Sequence, residues 1–414
     1  IMNEVISIGG ICDAIHLDVA NHTIEKLGSG RYGIYDDVFS DNVGEFAATR
    51  TIESVNGQIE DFESKMARMA VRPDTKEKNK DAELEEIDVA FLEDWGVSYS
   101  NILQFLYVCY IIAMKQQKSV IEMEESQLIK AMQEHCTELT EDLAKKCIIR
   151  LSLDKRENYL TPPVGLAGKD IFPWSYNREL SYLRRPVIRY QYDDGTVMCM
   201  FGFRSCIQAG IQLSDLLYSG RLRYVGRKIE TLLGKFEAIK GAAFNDEVRS
   251  FLAKIPIMRV WEHDVTIKSG GYFAADKDYG DIDVMAYDTS RDILYLIECK
   301  NTNPAKNIKE MKTEMDEYLG RGDNPERDKK RALVLKHLRR HRWVTEHINE
   351  VAKHIGVAVT PRVKSMMLTA TVIPTSYLKR EKIPMSILNY PELKIKGVNL
   401  LDSCKEPDLS VLDI

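Results

Sequence analysis

The stretch that could do chemistry is Gly280 to Asn303, GDIDVMAYDTSRDILYLIECKNTN. It holds two strand-like runs joined by a polar turn, Asp288 to Asp292. The second run, Ile293 to Ile297, is almost wholly apolar and then ends abruptly in Glu298, Cys299 and Lys300. Side chains alternate faces along a strand, so Glu298 and Lys300 point the same way, roughly 7 Å apart, and Cys299 points the other way. On the preceding run Asp281 and Asp283 share a face by the same rule. If the runs pair as a hairpin, a carboxylate from each converges at one sheet end. Two such carboxylates lose hydration and repel each other, and are tolerated chiefly when paired or bound to a metal. Hard oxygen donors in small number suit Mg²⁺, with Mn²⁺ able to substitute. A lysine beside them can orient or help deprotonate an attacking water and offset phosphate charge.

Asp283 in GDIDV and Glu298-x-Lys300 in LIECK are separated by 14 residues. This arrangement resembles the PD-(D/E)xK nuclease superfamily, the restriction-endonuclease-like fold. The resemblance implies metal binding by Asp283 and Glu298 and assistance to water by Lys300. It also implies a helical glutamate upstream, matched by Glu247 in FNDEVRSFL, on a helix whose buried stripe is Phe244, Val248, Phe251 and Leu252. Gly280-Asp281-Ile282-Asp283 stands where the family has Pro-Asp. Asp283 is preferred over Asp281 because the acid after Ile is the usual match. The resemblance covers about residues 221 to 375.

These residues need elements to position them. The expected fold is α/β of the α+β kind. A mostly helical region, 1–157, precedes a β-hairpin and helix module, 158–225. A nuclease-like domain with a mixed sheet flanked by helices follows over 226–380, then a C-terminal accessory segment, 381–414. The hairpin is read from RRPVIRYQYDDGTVMCMFGFRS, where Asp194-Gly195 supplies a tight turn. A helix is expected from Cys206 to about Tyr218. The expected strands are Met258 to Ile267, Asp281 to Tyr287, Ile293 to Lys300 and Met366 to Ile373. Few helix breakers interrupt Asn101 to Arg150, which predicts helix there. The charged run Pro73 to Glu86 has no apolar face and predicts a solvated loop.

The run KKRALVLKHLRRHR offers a basic helix with Lys329, Lys330, Arg331, Lys336, Arg339, Arg340 and Arg342 and no acid. Such a helix neutralises phosphates without reading sequence, although Ala332, Leu333, Leu335 and Leu338 equally suit an amphipathic core helix. The expected partner is nucleic acid, DNA by family resemblance, with a protein partner or second copy meeting the N-terminal region. A Glu314/Tyr318 pair at helical spacing is a weaker candidate for the site.

The 414 residues carry 57 Lys and Arg against 63 Asp and Glu, a net charge of −6, so overall charge does not itself signal nucleic-acid binding. Eight scattered cysteines contain no C-x-x-C pair, which argues against a zinc knuckle and for a reducing, cytoplasmic setting. Ile102 to Met114 is the longest near-apolar run, too short for a bilayer and suited to a buried helix. No signal peptide opens the chain, and the first residue, Ile1, suits a piece of a longer protein. Gly28 to Gly33 matches G-x-G-x-x-G without a strand-to-helix context and is read as a loop. His337 and His341, at i and i+4, lack a partner carboxylate for zinc. The function expected is a Mg²⁺-dependent endonuclease acting on phosphodiester bonds, in a genome-defence role. A catalytically silent binding or assembly protein on the same fold, and an RNA-cleaving nuclease, are the alternatives.

Overall fold

The computed structural model describes residues 2–20, 22–35, 41–53, 77–158, 160–168, 171, 179–223, 225–302, 305, 308–321 and 325–413. They form a mixed α+β chain that divides into two compact units, Val71–Ile239 and Ile1–Ala70 with Lys240–Ile414. The chain opens with helix α1 (Met2–His16) and a hairpin of β1 (Thr23–Lys26) and β2 (Tyr32–Tyr35). Gly28 to Gly33 make the turn and returning strand of this hairpin, with Gly30 at φ +80°, so the glycines serve a turn as expected.

In the unit Val71–Ile239, α2 (Glu77–Trp95) replaces most of the loop expected over residues 73–86. Residues 73–76 lie outside the described set. Lysine, glutamate and alanine favour helix, and Ile87, Ala90 and Phe91 supply the buried stripe that anchors it. Helix α3 (Tyr99–Lys115) starts at Ser98, whose side chain accepts from Asn101 N at 3.0 Å. It buries Ile102, Phe105, Leu106, Cys109, Ile112 and Ala113, the face of a core helix. No single helix among the described residues is long and apolar enough to cross a membrane.

The helix expected over 101–150 is interrupted. Gln117 takes φ +53°, and β3 (Val120–Glu124) follows with β-branched Val120 and Ile121. Then come α4 (Glu125–His135), α5 (Glu141–Leu151) and β4 (Ser152–Asp154). The expected hairpin is β5 (Val187–Gln191) with β6 (Val197–Gly202), its turn closed by Gly195 at φ +89°. These strands form one sheet in the order β3-β6-β5-β4. Helix α6 (Phe203–Tyr218) packs on it, close to the expected bounds.

Helix α7 (Arg227–Ala253) begins well before the FNDEVRSFL segment, and its C-terminal part buries Phe244, Val248 and Leu252. Two expected strands are each cut in two. Met258 to Ile267 becomes β7 (Met258–Val260) and β8 (Val265–Ile267), broken by polar Glu262, His263 and Asp264. Asp281 to Tyr287 becomes β9 (Gly280–Ile282) and β10 (Val284–Asp288), parted at Asp283. Strands β8 and β9 pair with each other in a separate two-stranded sheet, and Ile267 of β8 also bridges Phe273. Strand β11 (Ile293–Lys300) follows as expected, then α8 (Ile308–Leu319), α9 (Pro325–Arg331), α10 (Leu333–Glu346), α11 (Ile348–Ile355), β12 (Arg362–Thr369) and β13 (Ser386–Asn389). The central sheet runs β13-β12-β11-β10-β7, parallel across β11, β12 and β13 and antiparallel across β11, β10 and β7. Residues beyond 381, expected as an accessory segment, supply the edge strand β13 and bury Leu393, Leu400, Leu401 and Cys404 against the sheet.

Candidate active site

Strand β11 sorts its side chains strictly by parity. Ile293, Tyr295, Ile297 and Cys299 join the core with α7, while Leu294 and Leu296 join Trp343 and Val344 of α10. Glu298 and Lys300 continue the second face, the one α10 covers. Cys299 is buried on the opposite side, as expected of a small core residue.

Glu298 is only 5% exposed. Lys300 Nζ lies 2.8 Å from its Oε1, Arg340 Nη1 donates to its Oε2, and His337 Nδ1 lies 3.6 Å from Oε2. Burial pushes this carboxyl up. The His337 contact and the charges of Lys300 and Arg340 outweigh burial and hold it well below the usual carboxylate range. Arg340 is fixed in turn, its Nε donating to Tyr279 O at 3.1 Å, so the loop Ser269 to Tyr279 borders the site through a backbone carbonyl.

Asp283 occupies the break between β9 and β10. Its Oδ2 accepts from Cys299 N at 2.8 Å and lies 3.8 Å from Lys300 Nζ. Its backbone carbonyl accepts from Arg249 Nη2 at 2.6 Å, and Arg249 also pairs with Asp246 and Asp264. Side chains thus satisfy backbone groups the ladder leaves open, which is why the strand parts here. Burial, then the negative charge of Glu298, push Asp283 up to about 6. Asp281 is exposed, on β9 opposite Thr266, so Asp283 rather than Asp281 joins Glu298 and Lys300.

Burial lowers Lys300, but Glu298 and Asp283 together raise it above its ordinary value. It is therefore a firmly held cation in this arrangement.

The other expected residues fall elsewhere. Glu247 is exposed on α7, where its backbone carbonyl is 3.5 Å from the Tyr390 hydroxyl. Burial and the charge of Glu247 push that hydroxyl up to about 12. No hydrogen bond or ion pair joins Glu247 to Asp283 or Glu298 among the described residues; Arg249, two residues along, is what α7 sends to the site. Glu314 accepts from Thr375 Oγ1 at 2.8 Å and braces α8 against the short helix Thr375–Leu378. The expected single basic helix is two, α9 and α10, parted at Ala332. Lys330 and Arg331 are exposed, and Lys336 and Arg339 are half-buried. Arg340 is turned inward onto Glu298, and Arg342 pairs with Asp413 at 2.8 Å and Leu409 O at 2.8 Å. These two are therefore not free to meet phosphate as expected. The side chain of Lys329 lies outside the described residues.

His337 and His341 do not form a zinc pair. His337 Nε2 meets Leu296 O at 3.1 Å, and His341 Nδ1 meets Ser365 Oγ at 2.8 Å. Among the described residues, no group of three or more His, Cys, Asp or Glu side chains stands together as a metal site. The constellation is two carboxylates and one lysine, backed by His337, Arg340 and Arg249. Sequence reading missed that backing. A signal existed: His337 and His341 fall in the core-facing phase of Val334 and Leu338, and polar residues in that phase need buried partners.

Residues 3–386 match the model of a family described as Upx-like anti-phage proteins. No curated protein and no solved structure matches the chain.

Proposed function

The chain belongs to the Upx-like anti-phage family, with a role in phage defence, and we propose that it acts there as a divalent-metal-dependent endonuclease, with DNA as substrate. One observation carries this reading: two carboxylates from adjacent strands share the Lys300 ammonium at a sheet end, at 2.8 Å and 3.8 Å.

Mg²⁺ is commonly held by one or two carboxylates with water completing the shell, and Asp283 and Glu298 fit that donor set. When bound, the cation supplies Lewis-acid polarisation of the scissile phosphate and lowers the pKa of water. The rest of the work falls to side chains. Arg340 and His337 keep Glu298 ionised and fix its orientation. Cys299 N–H fixes Asp283. Lys300 positions the attacking water by hydrogen bonding and offsets charge on the phosphate. Lys330 and Arg331, exposed beside α10, with Lys336 and Arg339, offer salt-dependent phosphate contacts.

A second reading, a catalytically silent nucleic-acid-binding protein, is favoured by the three cationic or hydrogen-bonding groups already around Glu298. The test uses supercoiled plasmid, single-stranded DNA and structured RNA, each with Mg²⁺, Mn²⁺ or EDTA. Cutting in metal, lost in EDTA and in the Asp283→Asn, Glu298→Gln double variant, is expected. Equal cutting by that double variant would remove the site. Binding without cutting of any substrate would favour the silent reading.

A further inference from the structure

Three guanidinium groups in the unit Val71–Ile239 converge on one carboxylate. Glu179 is 2% exposed, with Oε1 at 2.8 Å from Arg185 Nη2 and 3.2 Å from Arg150 Nη1, and Oε2 at 2.8 Å from Arg184 Nη1. The three arginine side chains are themselves largely buried, at 22%, 7% and 16% exposure for Arg150, Arg184 and Arg185. One negative charge against three positive ones leaves a net positive charge where hydration is poor. Buried charges are tolerated when paired. Burial pulls Arg150 down to about 10, with Glu179 opposing and Arg185 and Arg184 adding to the fall, so it stays charged near neutral pH.

Beside this cluster opens a cleft of about 800 Å³, lined by Trp95, Arg150, Ser152, Arg156, Glu179 and Arg185 among others. That is the size of a small-molecule site. Besides Glu179 Oε2, which faces Arg184, four polar atoms of the described lining are buried without a hydrogen-bond partner: Arg185 Nε, Arg156 Nη1, Ser152 Oγ and Trp95 Nε1. Ser152 is 2% exposed. Two acids also line the cleft and are engaged elsewhere. Asp94 accepts from Ile229 N at 2.8 Å, and Asp154 pairs with Arg189 at 3.4 Å.

We propose that this cleft binds a phosphate monoester dianion, with Arg185, Arg156 and Ser152 donating to its oxygens. Guanidinium forks match phosphate oxygens, and a monoester brings about −1.5 to −2 charge near pH 7 against the surplus here. The cleft far exceeds a bare phosphate, leaving room for the ester's body beside Leu166 and Val225. A free nucleotide and the 5′ end of a strand present the same group.

The test titrates the full chain in EDTA by calorimetry. The probes are AMP against adenosine, and a 5′-phosphoryl oligothymidylate against its 5′-hydroxyl form. Binding of the phosphorylated member at least tenfold tighter than its partner is expected. Preference for AMP names a small ester, and preference for the oligonucleotide names a strand end. Arg185→Gln should weaken binding tenfold or more. Because that change strips a partner from Glu179 and could unfold the unit, Arg156→Gln and Ser152→Ala carry the test independently, each with an expected loss of fivefold or more. Equal binding of phosphorylated and dephosphorylated probes, or unchanged binding in both of these variants, would overturn the assignment.

Discussion

Replacing Asp283 with asparagine should make the protein in EDTA more stable while removing the proposed metal-dependent cutting. The carboxyl rises from its ordinary 3.8 to about 6 in the folded chain, through burial and the neighbouring Glu298. A carboxylate whose folded value is raised costs stability wherever it is ionised in both states. The shift of roughly two pKa units, at about 1.36 kcal/mol each, sets that cost at about 3 kcal/mol above pH 6 as an upper limit. It is about half as large at pH 5 and vanishes below the unfolded value. Asparagine retains an oxygen to accept from Cys299 N, the 2.8 Å bond Asp283 makes now, but brings no charge. Asp283→Asn should therefore gain about 1–3 kcal/mol at pH 8 in EDTA, with the gain shrinking on acidification. Hydrogen exchange of peptides spanning β11, corrected for intrinsic rates, reads this locally. Mn²⁺ should slow exchange there in the wild type and not in the variant. Loss of protection at pH 8 in EDTA, or a gain that does not shrink with acid, would refute the idea that the two carboxylates strain one another.

Three further outcomes follow from the same geometry. Arg340→Met strips a guanidinium from buried Glu298 and should cost about 3–5 kcal/mol in urea unfolding, of which Glu298→Gln in the same chain restores at least half. His341, held neutral by burial and His337 with its value pulled down to about 4 from 6.5, binds its proton less readily folded than unfolded. Stability should thus fall by up to about 3 kcal/mol between pH 6.5 and 4, and urea midpoints of His341→Gln should depend less on pH over that range. Cys299→Ala, on the core face, should cost about 1 kcal/mol and leave plasmid cutting within a few-fold of wild type.

The core of the site was legible because strand parity is a rigid rule. An apolar run ending in Glu298-Cys299-Lys300 can place its charges only on one face, and the Asp194-Gly195 turn and β11 came out where periodicity put them. What parity does not encode is where a strand stops. Met258 to Ile267 reads as one run, yet its polar middle sends the halves to different sheets. Asp283 ends a strand because side chains, Arg249 and its own carboxylate, capture groups that would otherwise join the ladder. The basic helix misled for a related reason. Charge count cannot tell a solvated arginine from one buried against a partner 42 residues away, and Arg340 is the second kind. Glu247 fails similarly, since a residue flanking the apolar stripe can face either neighbour, and here it faces Tyr390.

Crystals grown in Mn²⁺ and measured at the manganese edge test the central claim most directly. An anomalous peak about 2.0–2.3 Å from carboxylate oxygens of both Asp283 and Glu298, absent in Asp283→Asn crystals, is the predicted result. A featureless map at that position under saturating Mn²⁺, with Glu298 still bound by Arg340, His337 and Lys300, would contradict it.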